Sequence, residues 1–373
     1  MADYALYRLK ISLLTPLHIG NGRELMHEYD YALYKGATWR LNEAALLEAQ
    51  NVEDPRIAVR LAQTPPAHLL KESDFDPQSP YFRYIIRGLP RSRAEGAVVR
   101  EQLKDPFDNL YLPGTSLKGA LRTALAWYAW GERKLRPDVS RLGRDRRFAA
   151  QGYERDLFGP DPNHDALRAL IISDSQPLPI RDRLILANVR VLNRGGSLGS
   201  PIEVEAIRAD TTFEATLKLD LVLFSEWARR HKLNLNGEEW LRNLARVVQT
   251  HSQERIRREK AWFTAIPNGT RLSQFYEQLE KSQLPANAFL MQLGWGTGWE
   301  DKTFGTRLIS DNQFMERLIQ QYSLARGKRR PGDPFPKSRR VIMAYQRDPS
   351  GKMIGEQPAL PLGWLLVEME KVK

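Results

Sequence analysis

The sequence predicts an α+β fold with antiparallel sheets and loop or helix insertions, on three observations. Residues 4–14 and 213–223 alternate apolar and polar side chains, the period-two signature of a strand with one packed face and one open face. Residues 115–130 carry an apolar stripe at helical spacing. Strand and helix patterns are intermixed, and the strands alternate instead of running apolar throughout, which argues against a doubly wound parallel sheet.

In the first strand, Ala5, Tyr7, Leu9, Ile11 and Leu13 face one way and Arg8, Lys10 and Ser12 the other. It stops at Thr15-Pro16, where proline cannot donate to a ladder. Leu17-His18-Ile19-Gly20-Asn21-Gly22 reads as a turn-rich loop. Pro65, Pro66, Pro77, Pro80, Pro90 and Pro106 punctuate residues 51–110, which read as inserted loops and short helices. In the helix at 115–130, Leu117, Leu121, Ala124, Leu125 and Tyr128 form the stripe, Thr115 or Ser116 caps the start, and Gly131 ends it. Arg141, Arg144, Arg146 and Arg147 mark a surface loop, and Ala169-Leu170-Ile171-Ile172 a buried strand. In 213–223, Phe213, Ala215, Leu217, Leu219, Leu221 and Leu223 share one face. Residues 238–263 read as a helix through Leu241, Leu244, Val248 and Ile256, with a basic polar face of Arg255, Arg257, Arg258 and Lys260. Phe289, Met291 and Leu293 lead as a strand into a glycine-rich loop at 294–305, and 364–370 is a last short strand. No short-period repeat is visible.

The 373 residues hold about two domains' worth of chain. Lysine and arginine number 56 against 45 acidic residues, a net charge of +11, which favours a polyanionic partner and nucleic acid first. The chain has no cysteine, so disulfides, thiolate zinc sites, iron–sulfur clusters and a cysteine nucleophile are excluded. No apolar run reaches the roughly 18 residues that cross a bilayer, and Met1-Ala2-Asp3-Tyr4 does not open a signal peptide. The expectation is a cytoplasmic protein with no membrane partner and no cofactor.

Pro113-Gly114-Thr115-Ser116-Leu117-Lys118-Gly119 sits where a loop enters the clear helix. Free N–H groups at a helix start attract an anion, and Lys118 and Arg122, four apart, share a face. Ser116 and the backbone of Gly114 and Gly119 would shape such a phosphate site; the plainer alternative is a capped helix with solvated cations. A nucleotide P-loop does not fit, because Ala120 stands where lysine is needed. In Gly294-Trp295-Gly296-Thr297-Gly298-Trp299, Trp299 replaces the third glycine of a dinucleotide fingerprint. Gly296 and Gly298 beside Lys302 and Arg307 suit close approach of a ribose-phosphate chain, with Trp295 and Trp299 either stacking on bases or filling core.

The six histidines form no i,i+4 pair, and His164-Asp165 is too common a dipeptide to signal a metal. No metal site is expected. His18, in the loop with Gly20 and Asn21, is placed to stack on a base, bond a 2′-hydroxyl, or act on one as a general base. Asp30 lies just beyond, where a carboxylate promotes cleavage by fixing a metal or a 2′-hydroxyl, or is simply solvated. Arg326-Gly327-Lys328-Arg329-Arg330 and Lys337-Ser338-Arg339-Arg340 are dense basic runs. Arg329, Arg330, Arg339 and Arg340 are therefore expected phosphate contacts, each phosphate neutralised adding about one unit of log–log salt slope.

These blocks in their order resemble the RAMP superfamily of CRISPR proteins. The resemblance is carried by Thr15-Pro16-Leu17-His18-Ile19-Gly20, by Leu112 to Arg122, by Ile172-Ser173-Asp174-Ser175, by Glu203-Val204-Glu205 through Phe213, and by the loop Leu293–Gly305. Pro336-Lys337-Ser338-Arg339-Arg340 and Pro361-Leu362-Gly363-Trp364 narrow it to the fifth-subunit branch of type III-A Csm effector complexes. The resemblance implies two ferredoxin-like (RRM-type) RAMP modules, residues 1–205 with an insertion at about 35–110 and residues 206–373. It implies a non-catalytic subunit that binds the 3′ part of a CRISPR guide RNA, caps that end of the complex, docks on the backbone RAMP subunits and aids guide maturation in antiviral defence. A trimming nuclease is a further partner it leaves open. In the backbone subunits an aspartate after the histidine–glycine loop supports target RNA cleavage, and Asp30 falls at a comparable place. About 80 residues separate Asp30 from Pro113, much more than in those subunits. The alternative is an endoribonuclease, using His18 or Asp30, that processes guide precursor or cuts target RNA.

Overall fold

The structure, a computed structural model, describes residues 4–50, 55–325, 329–347 and 353–373. The strands are β1 (Tyr4–Leu13), β2 (Gly20–Met26), β3 (Tyr31–Tyr34), β4 (Ala37–Leu41), β5 (Phe82–Arg87), β6 (Val98–Gln102), β7 (Leu170–Ile172), β8 (Leu184–Asn193), β9 (Ile202–Ile207), β10 (Thr212–Asp220), β11 (Ala288–Gln292), β12 (Ser338–Arg347), β13 (Met353–Leu360) and β14 (Trp364–Lys371). The helices are α1 (Glu43–Glu48), α2 (Pro55–Gln63), α3 (Gly114–Glu132), α4 (Gln151–Phe158), α5 (Glu226–Arg230), α6 (Glu238–Arg242), α7 (Leu244–Thr264), α8 (Thr270–Lys281), α9 (Gly298–Lys302) and α10 (Asn312–Gln321).

One sheet runs β11-β14-β1-β10-β7 and is antiparallel throughout. A second runs β13-β12-β8-β9-β6-β2, antiparallel except where β6 meets β9. A small third sheet, β3-β4-β5, joins two strands of the insertion to β3, just ahead of it. This is the α+β architecture with antiparallel sheets that alternation predicted. The inward residues of β1 (Leu9, Ile11, Leu13) and of β10 (Phe213, Leu217, Leu219) share one core with Leu117, Leu121 and Leu125 of α3 and with Leu244, Val247 and Val248 of α7.

The opposite face of β1 is laced with cross-strand ion pairs, Arg8–Glu370 at 3.6 Å and Lys10–Glu368 at 3.1 Å. Such pairing neutralises the cations, so this face is no basic platform for a strand of RNA. Gly114 starts α3 hard against β7: a Cβ there would lie 2.4 Å from the Ile172 carbonyl oxygen. Gly114→Ala must displace backbone and is expected to cost about 1–3 kcal/mol in urea unfolding; a change below 0.5 kcal/mol would contradict this packing.

Several expectations are corrected. No seam lies at residue 205: β9 runs through it, and each large sheet takes strands from both sides. Residues 51–110 contain β5 and β6 as well as short helices. Residues 20–26 form β2, an edge strand, not a continuing loop. The strand at 213 ends at Asp220, and Leu221–Phe224 makes a single 3-10 turn. The helix at 238–263 breaks at Asn243. Arg255, expected on its solvated face, is buried among Glu259, Glu300 and Asp301.

Candidate nucleic-acid groove

A groove of about 760 Å³ gathers the loop after β1, β2, β6, the first turns of α3 and the glycine-rich run after β11. Its walls include His18, Gly20, Gly22 and Arg23, then Arg100 and Glu101, then Ser116, Gly119 and Thr123, and finally Gly294, Trp295, Asp301 and Lys302. Three segments singled out in the sequence thus meet in one place.

Glycine chemistry explains how two of them meet. The Trp295 N–H donates to the His18 carbonyl at 2.9 Å. Gly294 has φ +87°, and a Cβ on it would fall 2.5 Å from that same oxygen. Gly363, φ +75°, donates to the Pro16 carbonyl and accepts from Leu293 N–H. Left-handed backbone and close approach both demand glycine at these points. The Pro361–Trp364 block is therefore the clasp of the groove.

His18 is buried, and its Nδ1 donates to the Glu205 carbonyl at 2.7 Å. Burial pushes its pKa down to about 4; the carbonyl bond opposes this and the charges of Arg100 and Lys104 add to it. The ring is neutral at pH 7, stands edge-on to Trp295 at 5.9 Å, and packs its Nε2 against Gly20. A base with so low a pKa is weak; the ring positions the loop.

Beneath lies a buried polar knot. The Glu205 carboxylate, 1% exposed, accepts from the Tyr84 hydroxyl at 2.8 Å, from Gln102 N–H at 3.0 Å and from Lys104 Nζ at 2.7 Å. Asn21 is tied to it indirectly, donating to Glu101 at 2.7 Å, a carboxylate also 3.6 Å from Lys104.

The helix-start phosphate site is only partly realised. Ser116 lines the groove, and Gly119 lies exposed on α3, where a Cβ would meet nothing within 4 Å. Gly114, by contrast, is buried and its N–H is taken by Asp174 at 2.7 Å. Arg122 is held by Asp165 at 2.9 Å and Glu154 at 3.3 Å and lies over Phe158. Lys118 is half-buried outside the groove lining, its pKa lowered by burial against the pull of Asp165.

The other predicted contacts divide in the same way. Lys302 is exposed on the groove, and Gly298 is open. Gly296 packs on Leu362, 2.4 Å from a notional Cβ. Arg307 donates to the Trp127 carbonyl at 3.0 Å and stacks 3.6 Å over its ring, so it braces α3. Trp299 fills core against Phe335 and covers Gly305. Trp295 is half-buried, with the Arg340 guanidinium 4.3 Å and that of Arg100 5.0 Å from its ring. Arg329 is locked on Glu316 by two 2.6 Å bonds, and Arg339 is bound to Glu259 and Glu300. These two run residues serve the fold because each meets carboxylates at close range. Arg330 is exposed, its N–H held by Asp333; Arg326 to Lys328 lie outside the described residues.

Asp30 does not line the groove. One oxygen accepts from Met26 N–H at 2.8 Å, and the other sits 3.3 Å from Arg40 and 3.7 Å from Arg23. Its place is a structural turn behind the groove-lining Arg23. Among the described residues no group of three or more metal-ligating side chains converges. Sequence reasoning missed Arg23, Arg100 and Glu205. The alternation Val99, Arg100, Glu101 signals a strand with Arg100 outward, but the surrounding prolines masked it. Carboxylates temper the groove: Glu24, Glu101 and Asp301 line it beside Arg23, Arg100 and Lys302. Its lining is therefore mixed in charge and not uniformly basic.

Comparison with known proteins finds relatives of this chain in sequence and in fold. The chain is 29% identical to a Csm5 protein of Streptococcus thermophilus over 208 residues, 49% of this chain and 55% of that relative, so the match spans about half of that relative's length. It is 23% identical to a Csm5 protein of Methanocaldococcus jannaschii, over 96% of this chain and 87% of the other. In three dimensions it is similar to a chain of a Csm–crRNA–target RNA ternary complex of a type III-A CRISPR-Cas system (TM-score 0.70, 24% identity, covering 98% of this chain and 100% of that one). It is also similar to the Csm5 of T. onnurineus (TM-score 0.65, 23% identity, 95% and 99% covered). The sequence pattern of the RAMP superfamily matches residues 10–301, most of the length over which β1, α3 and the groove are built, and the chain belongs to that superfamily.

Proposed function

We propose that this chain is a non-catalytic subunit of a type III-A CRISPR effector complex. In this reading it holds the 3′ part of the guide RNA by its sugar-phosphate backbone, caps that end of the assembly, docks on RAMP backbone subunits and aids guide maturation. It works in the cytoplasm; among the described residues no helix is long and apolar enough to cross a membrane. The relatives named Csm5, and the neighbour found in a Csm–crRNA–target RNA complex, support the assignment.

The observation that carries the reading is Gly119. A glycine inside a helix costs roughly 0.5–1 kcal/mol relative to alanine, and here no close contact demands it, since a Cβ would meet nothing. A bare stretch of helix backbone facing a groove is useful to a ligand that must lie against it. A guide varies in sequence, so contact with its invariant backbone is what such a subunit needs.

Gly119→Ala is expected to raise stability by about 0.5–1 kcal/mol. Gly119→Glu, also a good helix former, is expected to stay folded and weaken binding of single-stranded repeat RNA by about tenfold in a filter or anisotropy titration. Equal affinity of Gly119→Glu and the native chain would remove the groove from the account. With magnesium and the same RNA, no site-specific cut is expected; cutting lost on His18→Ala or Asp30→Ala would establish the nuclease reading instead.

A further inference from the structure

A second pocket, of about 360 Å³, opens on the other side of α9, a size within the range of small-ligand sites. Arg194, from the turn after β8, Arg258 and Trp262, from α7, and Phe335 line it, with Glu300 and Arg339 in its wall. It shares no lining residue with the groove.

The charges behind this pocket are nearly balanced among themselves. Arg339 is spent on Glu259 at 2.9 Å and on Glu300. Arg255 pairs with Glu259 at 2.8 Å and Glu300 at 3.2 Å, and approaches Asp301 at 3.7 Å. Arg258 reaches Glu300 at 3.3 Å through one terminal nitrogen. Three guanidiniums thus face three carboxylates. Arg194 is the fourth guanidinium; it is exposed and forms no ion pair with a described residue. Arg258 Nε and Trp262 Nε1 are buried donors without an acceptor. A lining with a surplus cation, two donors without a protein acceptor, and one carboxylate already shared by three arginines is complementary to an acceptor-rich anion. Unpaired buried donors are costly, and a phosphate oxygen satisfies guanidinium and indole N–H together. Trp262 and Phe335 add aromatic carbon to the same lining, apolar surface that a base or sugar would meet.

We propose that this pocket binds a phosphomonoester of nucleotide type, with Arg194 and Arg258 on the phosphate and Trp262 Nε1 donating to it. A free mononucleotide and a phosphorylated strand end share that chemistry.

Calorimetric titration of the full chain with AMP, GMP, CMP and inorganic phosphate tests it. Binding by the native chain is expected to fall at least about tenfold in Arg194→Glu, which removes no contact of the fold. It should fall about threefold in Trp262→Phe, which keeps a ring and loses the N–H. Gly119→Glu, in the separate groove, should leave it unchanged. No heat with any of the four ligands, or affinity unaltered in both Arg194→Glu and Trp262→Phe, overturns the proposal. Short oligonucleotides with and without a terminal phosphate then tell the sources apart: a preference for the phosphorylated end assigns the pocket to a strand terminus, and binding of mononucleotide alone assigns it to the free ligand.

Discussion

Glu205→Ala is expected to lower unfolding stability by about 3–5 kcal/mol, the cost of removing one partner from a buried ion pair. Lys104, 4% exposed on its side chain, would lose its nearest carboxylate, and Glu101, 3.6 Å away, is a looser substitute. The Tyr84 hydroxyl and the Gln102 N–H lose acceptors in the same step. The Glu205 carbonyl that holds His18 is main chain and survives the substitution, so this tie to the loop under the groove remains. Glu205→Gln keeps acceptors without the charge and is expected to lose roughly half as much. A double variant, Glu205→Leu with Lys104→Met, should regain the part of the loss that comes from the stranded lysine, since an apolar pair of similar volume replaces a buried ion pair at little cost, but not the part from the Tyr84 hydroxyl and the Gln102 N–H, which stay without that acceptor. Urea unfolding measures all three. A loss below 1 kcal/mol for Glu205→Ala would mean that water already reaches this knot.

Acid is expected to be the second large effect. Burial holds His18 near a pKa of about 4 and His251 near about 3, well below the 6.5 of an unfolded histidine. The unfolded chain therefore binds more protons below pH 6.5, and stability falls with pH from there down to the folded pKa values. Asp301 acts oppositely: burial raises its pKa to about 6, so the folded chain gains on its protonation between pH 6 and about 4. At pH 5 each histidine costs about 2 kcal/mol and Asp301 returns about 1.4, leaving a net loss of about 3 kcal/mol relative to pH 7.5. Below that, carboxylates held low by ion pairs, such as Glu300 beside Arg339, Arg255 and Arg258, add to the fall. Unfolding midpoints at pH 7.5 and 5 check this. Equal stability at both would contradict the burial of His18 and His251.

The legible parts of the fold were those where one side chain in two, or one face in four, meets apolar core. β1, β10, β14 and α3 carry such patterns and were found within a few residues. β2 was not, because Gly20, Asn21, Gly22, Arg23 and Glu24 are all exposed on an edge and no periodicity is imposed on them. β9 was hidden by buried charge: Glu203 and Glu205 lie where an apolar residue would have announced a strand. The convergence of the three glycine-rich segments could be suspected from composition. Which glycines lie open to the groove and which let two backbones touch could not, because Gly119 and Gly294 look alike in sequence and differ only in their backbone conformation and neighbours. The arginines divided for the same reason. Arg339 and Arg340 are adjacent on β12, yet one meets Glu259 and the other the Trp295 ring.

The neighbour relations of β1 bear on biosynthesis. Ile11 stands opposite Phe213 on one side and Val367 on the other. During translation the first strand must wait until β14, Trp364–Lys371, has emerged before its second flank is covered, and contacts of such long range slow folding. Until then β1 offers an uncovered edge, the kind of surface on which nascent chains stick to one another. Chaperone demand should accordingly be highest just before β14 leaves the ribosome, and variants that weaken β14 should show first as insoluble yield.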